Sequence, residues 1–138
     1  MPASHLSSAV LCLIGSIVLC LLSVLSRLRP SQHSIDIPIG NTYYPIADFH
    51  VAVGFSLLFI VFAGVYSGFP QLLGRSLNDQ LGQVHFILTM AGACTLILIL
   101  QITSILSYRV TMVLWLACAV VVVAQILFGY NLLWSLFK

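Results

Sequence analysis

The chain has 138 residues, of which 61% are hydrophobic and 6% are charged, and a soluble domain of this composition has too few polar side chains to cover its surface. Its net charge of +2 comes from five basic and three acidic side chains, so the sequence contains no basic tract that would bind a nucleic acid. The composition therefore excludes nucleic-acid binding and predicts a membrane protein.

Four long apolar segments predict the fold class. Each is near or above the roughly 20 residues that a helix needs to cross about 30 Å of hydrocarbon, whereas a membrane β-barrel would show shorter alternating segments. The sequence thus predicts an all-α, integral membrane bundle of four transmembrane helices in a single domain, residues 1–138. The expected spans are residues 7–26, 45–68, 84–106 and 110–137.

The first span has no Lys or Arg ahead of it and is longer than the roughly 7 to 15 residues of a signal-peptide core, so we expect it to be retained. It should end at Arg27 to Pro30, where two charges and a helix breaker follow one another. Residues 31–44 are then expected to form a polar loop. Pro45 suits the first turn of the second span, where its missing N–H would be unbonded in any helix.

The second span contains Gly64 and Gly68, a GxxxG spacing. Such a pair either lets a neighbouring helix approach closely or is ordinary packing of small residues. The following segment, 69–83, holds a proline, two glycines and the charges of Arg75 and Asp79. We therefore expect a loop at or outside the membrane surface.

The last two spans are joined by a tight turn at residues 107–109. Tyr108, Tyr130 and Trp134 lie near span ends, where amphipathic rings prefer the membrane interface. All four cysteines fall within apolar spans and none has a CxxC spacing, which favours packing residues over a disulfide framework or a zinc site. These are Cys12, Cys20, Cys94 and Cys118.

Asp48 and His50 are ionisable side chains at the start of the second span. At the bilayer centre such a group costs about 2.5 to 3.5 kcal/mol, but near a helix N-terminus Asp48 gains from the helix dipole and from headgroup water. Residues two apart on a helix point about 200° from each other. Asp48 and His50 are therefore not expected to be partners, and an Asp that orients a metal-bound His is not indicated.

The sequence around these two residues, "IDIPIGNTYYPIADFH" at 35–50, resembles subunit I of the haem-copper oxidases. In that family a helix follows a His-Asp-Thr-Tyr-Tyr segment and carries His-Phe-His, with one His for each of two haems. The resemblance continues through "FP" at 69–70, "SLND" at 76–79, "VHF" at 84–86 and the last span. The resemblance implies that this chain corresponds to the last four helices of that subunit. The matching positions in the first stretch are Asp36, Thr42, Tyr43, Tyr44, Ala47, Phe49 and His50.

The departures from the family fall where it binds its cofactors. Asp48 stands where the high-spin haem would find its axial His, and a carboxylate is a poor substitute for imidazole. Gly40 and Asn41 stand where the family has a His and an Asp beside magnesium and the haem propionates. Arg109 is single where the family has a pair of arginines on the propionates. The resemblance thus implies no catalytic residue, no metal and no bound cofactor in this chain.

Three hypotheses follow. The first is a non-catalytic accessory subunit of a respiratory complex, most directly cytochrome c oxidase (complex IV) or a supercomplex containing it. Its partners would be other membrane subunits and lipids in a hetero-oligomer, in the mitochondrial inner membrane or a bacterial plasma membrane. The second is the C-terminal fragment of a split subunit I in which His50 ligates the low-spin haem and a partner chain supplies the second His. The third is an unrelated four-helix membrane protein.

The other histidines are not placed as haem ligands, since His5 precedes the first span, His33 lies in the loop and His85 heads the third span. For His85, Gln101 and Gln125 we expect hydrogen bonds between helices or solvation at helix ends.

The resemblance implies that both termini face the cytoplasm or matrix, with 27–44 and 107–109 on the opposite side. The count of Lys and Arg weakly indicates the reverse.

Overall fold

A computed structural model describes residues 7–28, 34–39, 41–102 and 108–137. Four helices dominate this part of the chain, and each contains a segment long and apolar enough to cross a membrane. The predicted all-α fold with four membrane-spanning helices is confirmed. The helices are α1 (Ser8–Arg27), α2 (Asp48–Leu73), α3 (Asp79–Ile102) and α4 (Tyr108–Phe137).

A β-hairpin precedes α2, where the sequence predicted a polar loop over 31–44. Strands β1 (Ser34–Ile39) and β2 (Thr42–Ala47) pair antiparallel, with Ile39 opposite Thr42. The expected position of Pro45 in the first helical turn is wrong, because Pro45 lies in β2 opposite Asp36. A two-stranded sheet has only edge strands, which tolerate proline. The physical signal was the alternation of isoleucines in "SIDIPI" ahead of a two-residue Gly-Asn link.

The sequence predicts a loop over residues 69–83, and the predicted start of this loop is wrong because α2 continues through Pro70 to Leu73. A proline this close to a helix C-terminus removes one helical hydrogen bond without breaking the segment. The helix ends at Gly74, whose φ is +63° and whose N–H donates to the carbonyl of Pro70 at 3.0 Å. This left-handed C-cap is a conformation that glycine adopts without steric cost.

The predicted end of this loop is also wrong, because α3 begins at Asp79 and not near Val84. Asn78 is its N-cap: the side-chain oxygen accepts the backbone N–H groups of Gln80 at 3.0 Å and Leu81 at 3.3 Å. Such a cap satisfies donors that have no partner within the helix. The connection between α2 and α3 therefore shrinks to residues 74–78.

The helices pack as two antiparallel pairs, α1 with α2 and α3 with α4, and α3 also contacts α1 and α2. The apolar core lies mainly among α1, α2 and α3. Cys12 is fully buried there, Cys94 is half-buried, and Cys20 and Cys118 are exposed. Two of the four cysteines therefore do not pack within this part of the chain, contrary to expectation. The largest fully buried apolar side chains are Phe59 and Leu19.

Gly92 lies where α3 packs tightly against α4. A Cβ atom there would lie 2.5 Å from Cγ2 of Val121 and 3.3 Å from the carbonyl oxygen of Ala117. We expect Gly92→Val to lower the free energy of unfolding by about 1 to 3 kcal/mol through overpacking, measured as the thermal midpoint in detergent micelles. Gly54→Ala is the control, since no described atom lies within 4 Å of a Cβ at Gly54. Equal midpoints for the two variants would contradict the α3–α4 contact.

Candidate functional site

His50 lies in the first turn of α2 with its side chain exposed. The ring of Phe49 meets it edge-on, with centroids 5.5 Å apart and planes at 73°. The guanidinium carbon of Arg27, the last residue of α1, lies 4.3 Å from the centroid of Phe49. This cation–π contact joins the end of α1 to the start of α2. The imidazole is therefore presented at the surface, beside a locally ordered aromatic ring.

Asp48 is the first residue of α2, so its Cα and that of His50 lie about 200° apart around the helix axis. Its side chain, and those of Gln101 and Arg109, fall outside the described part of the structure, as do Gly40, His5 and His33. What the sequence predicts for these groups stays a prediction.

Asp79 links two helix N-termini at the opposite end of the bundle. Its Oδ1 atom accepts hydrogen bonds from the backbone N–H of Ser8 at 2.9 Å and from the Ser8 hydroxyl at 2.6 Å. The Oδ2 atom accepts from the Gln83 amide at 3.1 Å. Since Ser8 begins α1 and Asp79 begins α3, the carboxylate lies at the positive ends of two helix dipoles.

Asn131 ties the connection between α2 and α3 to the end of α4. It is 1% exposed; its Nδ2 donates to the carbonyl of Asn78 at 2.9 Å, and its Oδ1 accepts the Asn78 N–H at 3.0 Å. The Ser135 hydroxyl donates to the carbonyl of Ser76 at 2.8 Å. Arg75 donates to the carbonyl of Leu136, near the C-terminus of α4.

We call this group of residues the end cluster. It joins all four helix ends on one side of the bundle and borders a cleft of about 310 Å³ that is lined largely by hydroxyl and amide side chains. The members are Ser8, Arg75, Ser76, Asn78, Asp79, Asn131 and Ser135.

Neither the interhelical role of Asp79 nor that of Asn131 was predicted. A signal existed for Asn131, because an amide inside an apolar span is costly unless it is paired. Ser8 carried no comparable signal, since serine is common in apolar helices.

A second polar group is buried farther along the bundle. The hydroxyl of Tyr66 and Nδ1 of His85 are 3.1 Å apart, and His85 is fully buried. Its ring stacks on Phe128 of α4, with centroids 5.0 Å apart and planes at 25°. The amide of Gln125 donates to the hydroxyl of Thr89 at 3.4 Å. The predicted interhelical hydrogen bonds of His85 and Gln125 are therefore confirmed.

These positions decide how far the described residues fit a haem. A low-spin haem needs two axial imidazoles, and the second described His is His85, next to Tyr66. His50 and Tyr66 are sixteen positions apart on α2, or about 24 Å along the axis at 1.5 Å per residue. The described residues thus offer one exposed imidazole but not a pair. They also contain no group of three or more His, Cys, Asp or Glu residues that could hold a metal ion.

The arrangement of polar side chains instead forms hydrogen bonds between helices. The end cluster and the Tyr66–His85 pair connect helices that are distant in sequence.

Comparison with known proteins identifies the family. Residues 2–113 match the family described as Cytochrome C and Quinol oxidase polypeptide I. The chain is 38% identical to cytochrome c oxidase subunit 1 of Thermostichus vulcanus, over 64% of this chain and 16% of that protein. It is 26% identical to alternative cytochrome c oxidase subunit 1 of Bradyrhizobium diazoefficiens, over 97% of this chain and 26% of that protein. The chain is 28% identical to cytochrome c oxidase subunit 1 of Synechocystis sp., over 97% of this chain and 26% of that protein.

The chain spans about a quarter or less of the length of these relatives. The matched region nevertheless includes the hairpin, α1, α2 and α3, and the four apolar helices make the chain an integral membrane protein. The chain belongs to the Cytochrome C and Quinol oxidase polypeptide I family, as the resemblance at residues 35–50 and 76–86 predicted.

Proposed function

We propose that the chain is a non-catalytic subunit of a respiratory oxidase complex, most directly a cytochrome c oxidase complex or a supercomplex containing one. It would descend from an ancestor similar to subunit I that lost its haem ligands. One observation carries the proposal: Asp48 stands where the family has the axial His of the high-spin haem, and a carboxylate is a poor substitute for imidazole. In this proposal the chain holds no cofactor and no metal.

The retained contacts explain what such a subunit would do. The end cluster and the buried pair of Tyr66 and His85 join the helices through side chains of the chain itself. The chain would therefore act as a helical scaffold among other membrane subunits and lipids, in a hetero-oligomer without nucleic acid. The relatives come from bacteria, which favours the bacterial plasma membrane over the mitochondrial inner membrane.

One face of α2 supports assembly with other helices. Gly64 and Gly68 have no described atom within 4 Å of an added Cβ, and neither does Gly54 one turn after His50. Leu57 lies between these glycines at helical spacing and is 59% exposed. The GxxxG pair therefore has no partner helix among the described residues. We propose that a helix of another subunit packs on it, since small residues allow close backbone approach in membranes.

Replacing a glycine on this face with a larger residue should weaken assembly with other subunits without lowering the stability of the chain itself. We expect Gly64→Leu to leave the thermal midpoint of the isolated chain unchanged or slightly raised, because leucine forms helices better than glycine by up to about 1 kcal/mol. Co-purification with oxidase subunits should fall about tenfold, the effect of about 1.4 kcal/mol in binding free energy. The matched control is Ile17→Leu on the exposed face of α1. If Gly64→Leu assembled as well as this control, the face would be lipid-facing instead.

The proposal makes a direct spectroscopic prediction for His50. In the purified complex, His50→Ala should leave the low-spin haem band and the ratio of haem to protein unchanged, because no haem depends on this imidazole. Visible spectra of reduced and oxidised complexes measure both quantities, and the complex from a strain lacking the chain gives the reference for lost subunits. A diminished low-spin band in a complex that still contains the chain would contradict the proposal.

That contrary result would support the second candidate, a C-terminal fragment of a split subunit I. The observation that favours this candidate is the exposure of His50 beside a ring ordered by Arg27, because an axial ligand must reach outward to a haem held with another chain. His50 would supply one axial imidazole, and a His of the partner chain would have to supply the other.

A further inference from the structure

Nε2 of His85 is fully buried and has no hydrogen-bond partner of normal geometry among the described residues. Buried ring nitrogens are nearly always paired, because an unpaired one keeps its full desolvation penalty. We infer that the side-chain oxygen of Gln125 accepts a hydrogen bond from Nε2 of His85. Tyr66, His85, Gln125 and Thr89 would then form one directional chain that fixes α4 against α2 and α3.

The first step concerns the tautomer of His85. The Tyr66 hydroxyl lies 3.1 Å from Nδ1, which is within hydrogen-bond distance. A phenol hydroxyl can donate its proton to a neutral imidazole nitrogen. Nδ1 is then the acceptor and the ring proton lies on Nε2, because a neutral imidazole carries one N–H.

The second step concerns the orientation of Gln125. Its side-chain nitrogen donates to the Thr89 hydroxyl, and Thr89 lies one turn after His85 on α3. The amide oxygen must point away from that bond. Gln125 also lies one turn before Phe128 on α4, and Phe128 stacks on the His85 ring. If the Gln125 oxygen accepts the Nε2 proton of His85, both groups are paired, and the Gln125 nitrogen keeps its bond to Thr89.

The consequence is a fixed rotation of α4. Phe128, one turn after Gln125, stacks on the same imidazole, so His85 would hold α4 by a ring face and by Nε2 at once. That rotation decides which α4 residues face outward, among them Trp115, which is 70% exposed. The inference does not depend on the proposed function.

Solid-state NMR of the full-length chain in phospholipid bilayers tests it, with ¹⁵N-labelled histidine and ¹³C-labelled glutamine. His85 is assigned from the signals missing in His85→Phe. We expect a protonated Nε2, an unprotonated Nδ1, and a correlation from the Nε2 proton to a glutamine side-chain carbonyl that disappears in Gln125→Leu. Thr89→Val should keep this correlation. A proton on Nδ1, or an Nε2 proton that correlates with water instead, would overturn the inference.

Thermal midpoints in detergent give an independent readout. Gln125→Leu leaves the Nε2 N–H of His85 unpaired, and His85→Phe leaves the Gln125 oxygen and the Tyr66 hydroxyl unpaired. The loss for the double variant should be smaller than the sum of the two single losses, because both changes disrupt the same pairing. Gln80→Leu, exposed at the start of α3, is the matched control. Simple additivity of the two single losses would contradict the pairing.

Discussion

Asn131→Leu is expected to lower the free energy of unfolding in detergent micelles by about 2 to 5 kcal/mol. Asn131 is 1% exposed and pairs with both the N–H and the carbonyl of Asn78. Leucine has a similar volume but cannot pair, so two backbone groups would lose their partners. The loss comes from the pairing of two part-buried backbone groups at Asn78 with a fully buried amide.

Thermal unfolding followed by circular dichroism measures this loss. Asn131→Asp should also lower the midpoint, because it loses the donor to the Asn78 carbonyl and places an ionisable carboxyl at a buried position. Gly129→Ala, on the same helix and without a described neighbour within 4 Å of the added Cβ, should be neutral or slightly stabilising. A midpoint for Asn131→Leu equal to that of Gly129→Ala would show that the pairing contributes nothing.

Asp79→Ala should be the second most damaging change, with an expected loss of about 1 to 3 kcal/mol. The carboxylate accepts the N–H and hydroxyl of Ser8 and the amide of Gln83. Its removal would leave the first turn of α1 without its cap and remove a negative charge from two helix N-termini. The residue is exposed, so water offsets part of the loss and the estimate stays below that for Asn131.

The Ser8 contact can be separated from the other effects by a double-mutant cycle. Ser8→Ala removes the hydroxyl but keeps the backbone N–H, and Asp79→Asn keeps an acceptor without the charge. We expect the losses for Ser8→Ala and Asp79→Ala to be less than additive, because both disrupt the same hydrogen bond. Strict additivity of the two midpoints would mean that α1 and α3 are not joined through this pair.

The four spans could be predicted because length and apolar content are local properties of the sequence. The end of α1 at Arg27 was also predicted, since charge and proline follow in sequence. The predicted end of α2 was wrong because a proline near a helix C-terminus does not by itself end the helix. Pro70 did not end α2; the left-handed Gly74 did, four residues later.

The start of α3 and the hairpin were missed for related reasons. Gln80, Gly82 and Gln83 favour a loop, although Asn78 in front of them is a preferred N-cap. The isoleucine alternation in β1 indicates a strand, but Asp36 and Pro38 in the same segment favour a loop. The N-cap residue and the isoleucine alternation are local signals, but the polar residues around them favoured a loop in the sequence-based prediction.

Long-range pairing could not be predicted from spacing alone. Ser8 and Asp79 are 71 positions apart, and Asn78 and Asn131 are 53 apart. Their contacts depend on how the helix ends come together in space. A haem role for His50 was suggested only by the resemblance to a known family, since a single histidine at the start of an apolar span does not by itself distinguish a haem ligand from a helix-end residue.

The central claim is that this family member contributes helices and no haem ligand to an oxidase complex. A density map of the intact complex, purified through a tag on this chain, tests it most directly. We predict that the chain lies beside other membrane subunits, with helix density packed on Gly64 and Gly68 and with no haem iron bonded to His50 or Asp48. Iron density bonded to either side chain would contradict the claim.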